Sequence, residues 1–109
     1  MKMETLKAMN VGKRKALVLQ ADGKARRVKP ANGKTFQLHE AQSLVGGFIE
    51  VVHLGESTIM VVNEEGKITG LPINVAATEI LRAYWEARNY HTNDYIAGDA
   101  VLMHANMLP

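Results

Sequence analysis

Residues 38–81 read LHEAQSLVGGFIEVVHLGESTIMVVNEEGKITGLPINVAATEIL, and most of the strong apolar patterning of the chain lies here. Leu38, Ala41, Leu44 and Val45 recur at spacings of three and four, which predicts a two-turn helix closed by the left-handed stop that Gly46-Gly47 supplies. Residues 48–53 and 58–63 then predict two β-rich runs. The four residues Leu54-Gly55-Glu56-Ser57 between them are too few for anything but an antiparallel hairpin. If those four set the register, Val52 faces Ile59, Glu50 faces Val61 and Phe48 faces Asn63. These six side chains then share one face, and Ile49, Val51, His53, Thr58, Met60 and Val62 share the other. Both faces are mostly apolar, whereas a two-layer domain covers only one, so a homo-oligomer is the expected cover for the second.

On the C-terminal side, Asn63-Glu64-Glu65-Gly66 predicts a turn with a positive-φ glycine, and residues 67–70 a short extended piece. Leu71-Pro72-Ile73-Asn74 opens a longer helix over 75–89, with the Asn74 side chain accepting from first-turn amides. Ala77, Ile80, Leu81, Tyr84 and Trp85 make its apolar stripe. Tyr84 and Trp85 stand about 100° apart on that helix, so they do not both enter one core, and one of them is free for a partner or a flat ligand. Residues 95–103 predict a last strand bent at Gly98-Asp99, and 104–109 a tail. On the N-terminal side, 13–20 and 25–29 predict two strands joined by the type I′ turn that Asp22-Gly23 suits. Pro30 marks the second as an edge strand, 35–37 is a short extended piece, and 1–12 is an irregular arm. The order β-β-α-β-β-α-β describes a small mixed α+β domain with two helices and a largely antiparallel sheet.

Length and composition bound the function. At 109 residues one core is expected. Cysteine is absent, which leaves no disulfide or thiolate metal site and makes the cytoplasm the expected compartment. Residues 1–10 lack the apolar core of a signal peptide, and no run approaches a membrane span. The net charge of +2 conceals an asymmetry: ten of the thirteen Lys and Arg fall in residues 1–34, against Glu4 and Asp22, while 35–109 carry three basic and nine acidic residues. Such a split favours an anionic partner at the basic end or head-to-tail complementarity between subunits, and it equally describes solvated edge strands whose Lys discourage aggregation.

No constellation of catalytic type is present. His39, His53, His91 and His104 are 14, 38 and 13 residues apart, without the three-to-five spacing of paired metal ligands on a helix. The glycines that precede Lys13, Lys24, Lys34 and Lys67 punctuate turns and do not build a phosphate loop, and no nucleophile elbow surrounds Ser43 or Ser57. A non-enzymatic protein with neither metal nor cofactor is expected. Glu50 is the anomaly, a carboxylate in an apolar strand that must meet a base, a donor or water.

The segments Leu44-Val45-Gly46-Gly47-Phe48-Ile49-Glu50-Val51-Val52, Val62-Asn63-Glu64-Glu65-Gly66, Gly70-Leu71-Pro72 with Asn74 and Ala77, and Ile96-Ala97-Gly98-Asp99-Ala100 resemble a phage and bacterial family known as domain of unknown function 3846. The resemblance runs from Leu44 to about Val101; the basic hairpin and residues 84–93 are less typical of it. It implies a small, mobile-element-encoded cytosolic domain and supplies no catalytic residue. The first expectation is therefore an oligomeric phage protein that sequesters a small anionic, nucleotide-derived signal of host immunity. Arg26, Arg27 and Lys29 would meet its phosphates, Tyr84 or Trp85 its base, and Asn63, Asn74 or Glu50 its polar edges. The alternatives are a contact with a host or phage protein through the apolar face or the acidic second half, and nucleic-acid binding through residues 13–34.

Overall fold

Two hairpins and one late strand make the sheet. In the computed structural model, which describes residues 15–109, β1 (Ala16–Leu19) pairs with β2 (Ala25–Val28), and β3 (Ile49–His53) pairs with β4 (Thr58–Asn63). Strand β5 (Ala100–His104) enters between the hairpins, so the order is β2-β1-β5-β4-β3 and every pairing is antiparallel. Helix α1 (Leu38–Val45) lies on one face and α2 (Val75–Glu86) on the other. The α+β class and the place of β2 at an edge agree with the sequence reading. The expected arm and the first residues of strand one, Lys13 and Arg14, lie outside the described residues.

The register of the β3–β4 hairpin corrects that reading by one residue. The Leu54 N–H donates to the Thr58 carbonyl at 2.9 Å, which adds a rung and leaves a three-residue loop with Gly55 at φ +104°. Ile49 therefore faces Asn63, Glu50 faces Val62, Val51 faces Val61 and Val52 faces Met60. A slip of one moves every side chain of a strand to the opposite face. Ile59 and Val61 join Ile49 and Val51 beneath α1, in a core that includes Val18, Ala41, Val45, Val101 and Met103. Met60 and Val62 join Val52 beneath α2, with Leu19, Ala77, Ile80, Leu81 and Leu102. Each apolar face thus has its own helix, and a second subunit is not needed to cover either.

Other local corrections have equally plain causes. Asp22-Gly23 does not form a type I′ turn: Gly23 alone has positive φ (+92°), and the Gly23 N–H donates to Gln20 O, which is a type I turn ending in a glycine bulge. Residues 64–70 form consecutive turns instead of an extended piece. Gly66 is required there by space and not by a positive φ, since a Cβ on it would stand 2.6 Å from the Ala97 carbonyl oxygen. Residues 35–37 make no strand, yet Phe36 is 1% exposed and its N–H donates to Met107 O at 2.8 Å. The expected tail continues β5 to His104 and then forms a 3₁₀ turn, Ala105–Met107, that buries Met107. Helix α2 stops at Glu86, and Asn89, at φ 59°, turns the chain away.

Asn74 caps α2 as expected and does more besides. Its Oδ1 accepts from the Ala77 N–H at 3.0 Å, while Nδ2 donates to Leu19 O at 2.8 Å and to Gly98 O at 2.9 Å, all with the residue fully buried. Asn74→Ala removes the cap and both side-chain bonds that tie Leu19 O and Gly98 O to the helix start, which together cost about 2 kcal/mol or more. Chemical denaturation should show that loss as a lower midpoint at unchanged slope.

Candidate functional site

The residues that sequence reasoning put around one ligand stand at separate places. Arg26, Arg27 and Lys29 are exposed at the β2 edge, whereas Glu50 lies on β3 at the opposite edge. Four strand spacings separate those edges, roughly 19 Å. Arg26 pairs with Val18 and Arg27 with Leu17, so the two arginines leave the sheet on opposite faces. Asn74 has no polar atom left for a ligand, because all three of its bonds are made inside the core. Asn63 is committed too, with Nδ2 on Val45 O at 3.1 Å and Oδ1 accepting from the Glu65 N–H at 2.8 Å, which ties the end of α1 to the following turn. Glu50 is not a buried carboxylate: on an edge strand it reaches water, one of the three partners its place in an apolar strand called for.

Tyr84 and Trp85 divide as the 100° argument demands. Tyr84 packs against the α2-side core and carries the Arg88 guanidinium 3.7 Å from its ring centroid. Trp85, 37% exposed, stands edge-on between Tyr84 and Tyr90, at 5.1 and 5.4 Å between centroids.

Glu50 does line a cleft of about 290 Å³ between β3, the turns after β4, α2 and residues 94–97. Its floor is apolar, from Val52, Val62, Leu81 and Ile96, and its rim carries Glu50, Glu64, Lys67 and Asp94. Lys67 is ion-paired with Asp94 and lies 4.8 Å from the Tyr95 ring centroid, while the Asp94 carboxylate also accepts from the Tyr95 N–H at 2.8 Å. Arg82 fixes the same loop by donating to the carbonyls of Asp94 and Asn93 at 3.0 and 3.2 Å. Three carboxylates against one ammonium make this rim unfavourable for an anion. A second groove, lined by Ile73, Val75, Thr78 and Arg82, meets the first at Tyr95. Sequence reading missed the Lys67, Asp94 and Tyr95 group because 27 residues and a whole helix separate its members, with no period to link them.

Among the described residues no three His, Asp or Glu side chains gather where a metal ion could be held, and no helix is long and apolar enough to cross a membrane. The family model for a domain of unknown function, DUF3846, matches residues 14–107. The chain belongs to that family. The match takes in the basic hairpin and residues 84–93, and so extends well beyond the segments from which the resemblance was read. No curated protein and no solved structure matches the chain.

The Lys67 ammonium holds the Asp94 carboxyl below its ordinary value of 3.8, helped by the Tyr95 N–H. A lowered folded value means that the pair stabilises the fold above that ordinary value and ceases to do so as pH falls through the folded one. Both partners are about half exposed, so the contribution is about 0.5 kcal/mol. Melting curves recorded by circular dichroism between about pH 2 and pH 7 should show a shallower acid limb for Lys67→Met than for the unaltered protein.

Proposed function

We propose that this chain is a binding protein that engages nucleic acid along the β1–β2 edge of its sheet. One observation carries the reading: Lys15, Lys24, Arg26, Arg27, Lys29 and Lys34 are all exposed and make no ion pair among the described residues. Asp22 is the lone carboxylate in residues 15–34, and its Oδ1 accepts from the Lys24 backbone N–H inside the turn. Six exposed cations on and beside the hairpin outnumber the carboxylates that reach it, Asp22 in the turn, Asp99 on the Ala21 N–H and Glu40 on the Ala31 N–H, and a polyanion relieves the repulsion that remains.

A small nucleotide-like ligand, the first expectation from sequence, needs charges that converge on one or two phosphates. Arg26 and Arg27 diverge instead, and the cleft at the far edge is acidic. A nucleic-acid backbone presents phosphates in series, so long side chains on both sides of an open edge can reach it without converging. Glu50, Glu64 and Asp94 lie across the sheet, where they do not oppose this approach.

A contact with another protein through the second half of the chain is favoured by a separate observation. Ile68, Ile73 and Val75 are 86%, 57% and 65% exposed around the two grooves that meet at Tyr95.

Binding that neutralises about four phosphates loses roughly a hundredfold in affinity between 50 and 200 mM salt. A labelled duplex and a labelled single strand, titrated at both salt concentrations, measure this. The double variant Arg26→Glu, Arg27→Glu changes only exposed side chains, so it should remain folded and lose most of the binding. Retained affinity in that variant, or affinity indifferent to salt, excludes the hairpin as the interface.

A further inference from the structure

The two edges of the sheet differ in how they are defended. In the β1–β2 hairpin the Gln20 N–H donates to Lys24 O, so Lys24, Arg26 and Val28 turn their backbone groups inward and Ala25, Arg27 and Lys29 turn theirs outward. That outward row is flanked by charge and closed by Pro30, the usual means by which an edge is kept from pairing.

The β3 edge is less protected, with one exposed carboxylate, Glu50, as its charge. The Glu64 N–H donates to Phe48 O at 2.8 Å and the Leu54 N–H to Thr58 O at 2.9 Å, which fixes the alternation along the strand. Phe48, Glu50, Val52 and Leu54 use their backbone groups toward β4. Ile49, Val51 and His53 point theirs away from the sheet, with no partner among the described residues. The run Phe48-Ile49-Glu50-Val51-Val52-His53 has no Lys, Arg, Pro, Gly or bulge, and Phe48 at its start is 64% exposed. An edge of this length with a single charge and no proline or bulge is a template for another strand.

We infer that β3 pairs antiparallel with β3 of a second copy of this chain, about a two-fold axis through Val51, to form a ten-stranded sheet. The outward groups of Val51 bond to their own copies, and Ile49 bonds with His53 on each side of the axis. Glu50 then stands opposite Val52, so no two carboxylates are directly opposed, and the exposed Phe48 comes to lie across from Leu54. A foreign strand would have to match this pattern by chance, whereas a second copy matches it by symmetry. The arrangement also places the two basic β2 edges at opposite ends of the joined sheet, where their like charges are furthest apart.

Hydrogen exchange followed residue by residue, with sedimentation of the same samples, tests this without altering the protein. The expected mass is twice the 12.0 kDa of one chain, with slow exchange at the amides of Ile49, Val51 and His53 that becomes fast on dilution to monomer. Glu50 and Val52 stay slow throughout, because β4 protects them. Val51→Pro deletes an outward N–H while sparing the bonds to β4, and it should sediment as a folded monomer. A monomer at high micromolar concentration overturns the inference. So does a dimer whose 49, 51 and 53 amides exchange freely, and so do open-ended assemblies, which signal β2-to-β3 pairing.

Discussion

The side chain of Asn74 holds three parts of the molecule in place at once. Its two donors close the end of β1 and the turn before β5, and its oxygen starts α2, so that helix begins where β1 and β5 meet. A buried amide with all its bonds made is directional in a way that apolar packing is not. Leu or Met could fill the same volume, but neither would fix which turn of α2 abuts Gly98 or hold the Leu19 carbonyl away from water. From that junction α2 runs across Met60, Val62 and Leu102 and gives the sheet its second cover.

That second cover alters what the apolar patterning means. Two apolar faces in one hairpin were read as one face too many, and the reading held only while the chain was taken to have a single helix layer. With α1 and α2 on opposite sides, the double-faced strands are the ordinary middle of a three-layer domain. The surfaces left for partners are then edges, one basic and guarded, one apolar and open. Charge is segregated along the sheet, with exposed cations at β2 and a carboxylate-rich cleft beyond β3.

Much of this was legible in residue order. The spacing of Leu38, Ala41, Leu44 and Val45 gave α1 its observed limits, Gly46 ended it at φ 79°, and Asn74 was recognisable as a cap. Periodicity reports what a segment does against a core, and those segments lie against one. The hairpin register was lost because a three-residue and a four-residue loop are both compatible with the string Leu54 to Ser57, and only the Leu54–Thr58 rung decides between them. Gly66 looked like a turn glycine, since nothing local reveals that Ala97 passes within contact distance. The candidate site was the least legible part: Glu50 was judged by its apolar neighbours without knowing that its strand was an edge, and Lys67 met Asp94 through loops that carry no pattern.

The position of β5 bears on how the chain comes to be folded. Each hairpin closes from residues a few positions apart, but the strand that unites them follows both, after a further helix. Until it arrives, each hairpin presents an unpaired inner edge, that of β1 or β4. Such long-range closure is slow relative to hairpin formation. A growing chain therefore spends an interval with four sticky edges where the finished protein has two, and the arginines of β2 protect only one of them.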